Sequence, residues 1–515
     1  MIDVRRGLAG YDAVMPDRPG RPLRIAFIAA ECEPWAKTGG LADVVDALAR
    51  ALGQIGGSSI DGPIDVYLPR YRGIEPPSGS IVRSLRISDP VAESGLANVS
   101  IVDVEANGYR LRLVDHPASF DRPAYYGDLH GDFPDNARRF GLLCRAAIEQ
   151  LRGEARPPDV LHLHDWHTGP ALLFRDGPYR EDPIVSGFAS LLTIHNLAYH
   201  GWVPADRLAQ LGIRRGSPLA GRNPDGLDLL GTAIDRADLV NTVSPGFAAE
   251  ALGPELGMGL DDGLRARGDR FFGILNGLDT DLWDPETDSS LAAGYSRADR
   301  RGKAACRAAL LDEVGLDSSD RGAVLSMIGR LDPQKGFDLV AGAAPALLAR
   351  GARLVVLGSG PHEVVEPLRV IAARHPDRIA LLERFDRDLA RRIYAGTDGF
   401  LMPSRFEPCG TGQMISLRYG TPPMVRATGG LEDTVIDETD HPGAGTGFKF
   451  DAATPAALVS ACDRFLAAFE AGGPSWEAFL DRGMAVDFDW RRRSAPAYLE
   501  AYERAVSLRR AGPAA

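Results

Sequence analysis

Short apolar runs that stop at a polar or glycine-rich loop and give way to a helical pattern recur along this chain, and past its midpoint the series starts afresh. The first series comprises "LRIAFIAAE" (23–31), "PIDVYLPRY" (63–71), "PDVLHLHDWH" (158–167), "SLLTIHN" (190–196) and "ADLVNTVSP" (237–245). The second comprises "AVLSMIGRLDPQKG" (323–336), "ARLVVLGSG" (352–360), "RIALLERF" (378–385), "GFLMPSRFEPCG" (399–410) and "PPMVRATGG" (422–430). A strand that returns parallel needs a crossover long enough to hold a helix, so this alternation builds doubly wound parallel sheets. Two series predict an α/β chain of two facing domains with a cleft between them. The expected bounds are a loosely ordered leader at 1–22, a first domain at 23–275 and a second at 276–489. The closing segment 490–515, with "APAYLEAYERAVSLRR" at its centre, is a helix former expected to pack back on the first domain. Further helices are predicted over 41–53 and 135–152. "ANVSIVDVEANGYRLRLVDH" (97–116) breaks the pattern and reads as a β-hairpin turning at Asn107-Gly108.

Length agrees, since 515 residues exceed what one core supports. The net charge of −12 disfavours broad nucleic-acid binding. The five cysteines (Cys32, Cys144, Cys306, Cys409, Cys462) are scattered without a CxxC pair, which fits a reducing compartment and opposes a disulfide framework or zinc site. No 18-residue apolar run and no signal-peptide core is found, so the cytoplasm is the expected location and no membrane partner is expected.

Ligands of open α/β sheets bind beyond the carboxyl ends of the strands, so the polar strand ends are where chemistry is sought. Lys37-Thr38-Gly39-Gly40 opens a helix. Glycine lets a ligand approach the backbone, and a helix start adds partial positive charge to that of the lysine. The cluster suits a phosphate, although an ordinary turn with a surface lysine has the same spacing. Arg330 and Lys335 flank a second loop, and Thr428-Gly429-Gly430 opens a third. Three such loops suggest a diphosphate gripped in the cleft. Glu407, just past a strand, is placed to bind sugar hydroxyls or to stabilise positive charge on carbon; the alternative is a helix cap. The Gly410-Thr411-Gly412 stretch behind it is suited to cradling phosphate, and Cys409 is weighed as a nucleophile without a histidine partner. His162, His164 and His167 invite a metal reading, but the helical spacing of zinc enzymes is absent. Asp165 and the His195-Asn196 pair, at strand ends, fit substrate hydroxyls better, with a buried hydrogen-bonded histidine as the alternative for His195. Asp279-Thr280-Asp281 is a DxD at a junction and reads as structural. "GSG" (358–360) lacks the rest of a dinucleotide fingerprint.

The ordered set "KTGGLADVV", "HDWHTG", "TIHNLAYHG", "NTVSP", "ILNGLDTDLWDP", "GRLDPQKGFDL", "PSRFEPCG" and "RYGTPPMVRATGGLEDTV" closely resembles bacterial glycogen synthases and plant starch synthases from about Leu23 to Tyr502. The resemblance implies the glycosyltransferase B fold, two Rossmann-like domains with the active site between them. It implies transfer of glucose from ADP-glucose to the non-reducing end of an α-1,4-glucan with retention, needing no metal ion or other cofactor. Carried over, Lys37, Thr38, Gly39 and Gly40 belong to the first-domain part of the donor site. Arg330 and Lys335 contact the diphosphate, Glu407 lies against the glucosyl unit, and Cys409, Gly410, Thr411, Gly429 and Gly430 line the same pocket. Asp165, His195 and Asn276 position the sugar from the other wall.

Three departures stand out. Gly231-Thr232-Ala233 replaces the usual Lys-Ala-Gly before "ADLVNTVSP", removing a cation. Thr411-Gly412-Gln413 replaces Leu-Thr-Gln after "EPCG". Ile415 stands where many related hexosyltransferases carry the second acid of Glu-x7-Glu, which favours the glycogen and starch synthase branch. Another nucleotide sugar or a small acceptor, and a glucan-binding protein that has lost catalysis, remain the alternatives.

Overall fold

The computed structural model describes residues 21–129, 131–214, 217–220 and 223–512. Apart from Arg21 and Pro22, the leader lies outside the described residues. Nine strands form the first sheet: β1 (Ile25–Ile28), β2 (Ile64–Pro69), β3 (Ile81–Ser88), β4 (Leu96–Glu105), β5 (Tyr109–Asp115), β6 (Val160–His164), β7 (Ala189–Ile194), β8 (Leu239–Thr242) and β9 (Phe271–Gly273). Their order is β9-β8-β7-β6-β1-β2-β5-β4-β3. The seven strands from β9 to β5 run parallel, and β4 and β3 extend the edge antiparallel. The β4–β5 pair is the hairpin read from sequence, with Gly108 at a φ of 86° that a side chain would resist. β3 was not legible: its residues are mostly exposed on both faces, so no alternation marks it.

Six strands form the second sheet: β10 (Val324–Arg330), β11 (Arg353–Ser359), β12 (Ile379–Leu382), β13 (Gly399–Met402), β14 (Pro423–Arg426) and β15 (Phe448–Phe450). All are parallel, in the order β12-β11-β10-β13-β14-β15. The central strands of both sheets are buried along their length because helices cover both faces, and this explains their unbroken apolar runs.

The helix Gly40–Ile55 buries Leu41, Val44, Val45, Leu48 and Leu52, an i, i+3, i+4 stripe against the first sheet. The C-terminal helix Ala495–Ala511 packs on β7 and buries Tyr498 and Tyr502 within the first sheet's core. The chain thus crosses back after completing the second sheet, whose own cores lie around Phe337–Leu347 and Phe400–Leu417.

Each sheet reverses its strand order once near its middle. In the first, β1 lies between β2 and β6, with Ile28 level with Leu163. In the second, β10 lies between β11 and β13. A crevice opens past the carboxyl ends where successive crossovers diverge. One crevice is walled by the loop after β1 and the turn after β6, the other by the loops after β10 and β13. The Lys37 loop and Asp165 stand at the first; Arg330, Lys335 and Glu407 stand at the second.

Candidate active site

After β10, Asp332 caps a short turn by accepting the Lys335 N–H, and this directs the Lys335 side chain to the neighbouring loop. Its Nζ meets Glu407 Oε2 at 2.6 Å, and Ser404 Oγ donates to the same oxygen at 3.0 Å. Glu407 is only 5% exposed, so the lysine charge compensates a nearly desolvated carboxylate. The helix-cap alternative for Glu407 fails, because its partners are side chains from two loops rather than helix amides. Arg330 ends β10 as an exposed cation, paired with Asp332 at 2.7 Å. Gly410 takes a φ of 73°, and a Cβ there would meet Gln413 Oε1 at 2.6 Å. Among the described residues, the N–H groups of Gly410 and Thr411 have no hydrogen-bond partner, so the main chain of this loop is open to an anion. Cys409 is buried and burial pushes its thiol well above the ordinary range, which removes the nucleophile reading.

Two parts of the phosphate expectation are corrected. In the Lys37 loop, Glu31 at the end of β1 accepts the N–H groups of Thr38 at 2.5 Å and Gly39 at 3.2 Å, and Thr38 Oγ1 at 2.6 Å. Tyr126 OH donates to the same carboxylate at 2.6 Å. An internal anion already fills that nest. What remains for a ligand is the Lys37 ammonium, half-buried beside Glu33 and Asp43, and the open space over Gly39 and Gly40, where an added Cβ would meet nothing within 4 Å. In the third loop, Glu250 accepts the Gly429 N–H and Thr428 Oγ1, each at 2.9 Å, and the Gly430 N–H goes to the Glu407 carbonyl at 3.1 Å. These glycines serve close packing instead: a Cβ on Gly429 would meet the Glu407 carbonyl at 2.1 Å, and one on Gly430 the Cys409 carbonyl at 2.2 Å.

Across the cleft, Asp165 follows β6 with φ 56° and ψ −175°, a conformation that costs a non-glycine residue on the order of 1–3 kcal/mol. Strain of this kind persists where the surroundings fix a side chain in place. Asp165 Oδ1 accepts the His195 N–H at 2.7 Å, and burial pushes its carboxyl up to about 7 against that bond and the Asn196 N–H. His195 Nε2 lies 3.0 Å from His164 Nδ1. Asn276 is buried and its Oδ1 has no partner, an acceptor left for a ligand hydroxyl. His162 is tied to Thr193 and Tyr502, and His167 is buried under Trp166 and Tyr126. Among the described residues, no group of three or more His, Cys, Asp or Glu side chains is arranged to hold a metal ion. The DxD is held by protein: Asp279 pairs with Arg50 and Asp281 with Arg491.

The two walls touch. Ser244 Oγ donates to the Pro408 carbonyl at 2.5 Å, the Gly246 N–H to Asp433 at 2.7 Å, and Arg387 pairs with Glu33 at 2.5 Å. Glu407 and Asp165 thus belong to opposite sides of one cleft.

Comparison with known proteins identifies the family. Residues 24–266 match the family model of the starch synthase catalytic domain, and residues 322–468 match that of glycosyl transferases group 1. The chain is 41% identical over 498 residues to the glycogen synthase of Syntrophotalea carbinolica, covering 95% of this chain and all of that protein. It belongs to the glycogen and starch synthase family of glycosyltransferases. A glycogen synthase of Anaeromyxobacter sp. (strain Fw109-5) is 44% identical over 489 residues, covering 93% of this chain and 99% of that protein. The catalytic domain of starch synthase IV from Arabidopsis thaliana, solved with ADP and acarbose, superposes with a TM-score of 0.84 at 33% identity, covering 94% of this chain and all of that one. A sucrose-phosphate synthase from Thermosynechococcus elongatus shares the fold at a TM-score of 0.59 and 18% identity, covering 94% of this chain and 99% of that one. The architecture is accordingly the glycosyltransferase B fold.

Within this synthase, the Gly231-Thr232-Ala233 departure lies on the helix Leu229–Arg236, where Asp228 accepts the Gly231 N–H at 2.8 Å and His200 Nδ1 lies 2.7 Å from the same carboxylate. The position serves as a helix entrance here. Ile415 is buried in the second domain's core. Sequence reasoning missed Glu31, Tyr126 and Glu250. Glu31 carried a usable signal, an acid at a strand end directly before the glycine loop. Tyr126 and Glu250 arrive from 95 and 179 residues away and carried none.

Proposed function

We propose that this enzyme elongates an α-1,4-glucan by moving glucose from ADP-glucose to the non-reducing end, with retention at the anomeric carbon. The observation that carries the reading is the Lys335–Glu407 pair at the crevice of the second sheet, opposite Asp165 at the crevice of the first. The glucosyl C1–O bond to the diphosphate breaks, and its electron pair leaves with ADP. Arg330, Lys335 and Lys37 stabilise that growing negative charge, assisted by the free N–H groups of Gly410 and Thr411. The glucosyl carbon gains positive character beside Glu407. A hydroxyl of the glucan end forms the new C1–O bond on the face the diphosphate leaves, and its proton passes to the departing phosphate oxygen. Asp165, His195 and Asn276 hold the sugar hydroxyls. No metal ion or other cofactor takes part, since side chains and amides supply the positive charge. The starch synthase relative solved with ADP and acarbose supports a nucleotide donor and a glucan-like acceptor. No helix among the described residues is long and apolar enough to cross a membrane, and we place the enzyme with its soluble substrates in the cytoplasm.

The test is transfer of labelled glucose from ADP-glucose or UDP-glucose, with and without glycogen and with a chelator present. ADP-glucose with glycogen is expected to give incorporation that the chelator leaves unchanged. Label entering a small product without glycogen, or no incorporation from either donor, would sink the reading.

A further inference from the structure

His195 uses one ring nitrogen inside the protein and leaves the other without a protein partner among the described residues. Its Nε2 lies 3.0 Å from His164 Nδ1, whereas its Nδ1 has no partner among the described residues and is not buried. One of the two facing nitrogens must donate and the other accept. The far side of His164 decides which. His164 Nε2 is buried with no hydrogen-bond partner. A proton there would make a desolvated donor with nothing to receive it, while a bare ring nitrogen is the cheaper group to leave alone. The His164 proton therefore sits on Nδ1 and is donated to His195 Nε2. The proton of His195 then sits on Nδ1, on the cleft side.

The His164 ring is packed on two sides. It is held between Phe27, with ring centroids 5.4 Å apart, and His162, at 4.1 Å. His162 is itself fixed by a closed set of bonds. Thr193 Oγ1 donates to Asn241 Oδ1 at 2.7 Å, so it accepts His162 Nε2–H at 2.7 Å. This leaves His162 Nδ1 to accept the Tyr502 hydroxyl at 2.9 Å. Burial lowers the basicity of all three imidazoles, which keeps each neutral and each assignment single near neutral pH.

The geometry points to His164 as a positioning residue: by donating to His195 Nε2 it presents His195 to the cleft as a hydrogen-bond donor, through Nδ1–H, for an oxygen of the sugar. His164 touches no substrate. The C-terminal helix takes part at one remove, since Tyr502 holds the His162 ring that packs against His164. This inference rests on the placement of His195 in the active site.

The test is nitrogen-detected magnetic resonance on the full chain with 15N-labelled histidine. His195 assigned by loss of its signals in His195→Ala should show a protonated Nδ1 and a bare Nε2; protonation at Nε2 overturns the inference. In kinetics, His164→Phe keeps a ring and removes the donor, and is expected to lower kcat about tenfold to a hundredfold with the donor KM little changed. His164→Asn, whose amide nitrogen takes the place of Nδ1–H, should recover most of that loss. A kcat unchanged in His164→Phe, or an equal loss in His164→Asn, overturns it as well. Full activity in His195→Ala would instead refute the placement of His195, whatever its protonation.

Discussion

Asp165 is where fold and chemistry pull against each other. Its carboxyl titrates at about 7 in the folded chain against 3.8 as the ordinary value, because burial outweighs the two amides it accepts. Between those values the native state holds a proton that the unfolded chain has released. Stability is therefore lost as pH rises from about 4 to about 7 and is level above. Three units correspond to about 4 kcal/mol as an order of magnitude. Asp165→Asn keeps an acceptor for the His195 N–H and removes the charge. In urea melts the variant should be the more stable protein at pH 8, with the gap closing towards pH 4, while its turnover falls on the order of a hundredfold. A variant less stable than the parent at pH 8 would contradict this account. The parent's rate should also decline as pH drops through about 7, and that limb should be missing from the variant. Among single residues, those at strand ends were legible: a cation or carboxylate at the carboxyl end of an apolar run stands out as Arg330, Lys335, Glu407 and Asp165 do. What sequence could not show is which charges are already spent. The nests at Thr38 and Gly429 look alike on paper, and only the fold reveals Glu31 and Glu250 in them.

At the scale of elements, the apolar runs located every strand that is buried on both faces. They failed for β3, an edge strand whose Arg83 and Arg86 blunt it against pairing with another chain, and for the three-residue β15. The edge of the first sheet, which β3 closes, is tied by charge. Arg112 on β5 is wholly buried and reaches Asp65 on β2 at 3.1 Å, Asp103 on β4 at 2.6 Å and Glu154 at 3.1 Å. Arg110 and Arg24 also meet Asp65, and against burial Arg110 and Arg112 hold its pKa below the usual carboxylate range. Removing the central cation leaves desolvated carboxylates without their main partner. Arg112→Leu should lose about 3–5 kcal/mol in denaturant unfolding, because the cost of an unpaired buried charge exceeds the gain from an apolar side chain. Activity per folded molecule should stay near the parent's, since Asp65 stands at the amino end of β2 and the cleft lies past the carboxyl ends of the strands. An unchanged unfolding midpoint would show that the remaining arginines suffice.

For the whole molecule, the decisive contacts are those between the two sheets' helices. The helix Pro245–Ala251 of the first half and Gly429–Thr434 of the second start beside each other. Each is capped by an acid of the other: Glu250 takes Gly429 N–H and Thr428 Oγ1, and Asp433 takes Gly246 N–H. Helix amides otherwise left bare are satisfied only when the halves are together. A Cβ at Gly246 would meet the Gly429 carbonyl at 2.6 Å, so the approach is closer than any side chain would permit. The same meeting brings Lys37 to the side of the cleft opposite Arg330 and Lys335, so the caps that close the molecule also assemble its positive charge. Glu250→Ala strips two bonds from the closed form and none from an open one. Losing about 1–2 kcal/mol there lowers the closed population, and the apparent affinity for the donor falls with that population, roughly fivefold to thirtyfold. The expected signature is a raised donor KM with kcat less affected, and a larger radius of gyration in solution scattering that saturating ADP brings back to the parent's value. If scattering and KM both match the parent, these caps do not govern closure, and the pairing of Arg387 with Glu33 across the opposite lip of the cleft becomes the contact that holds the halves together.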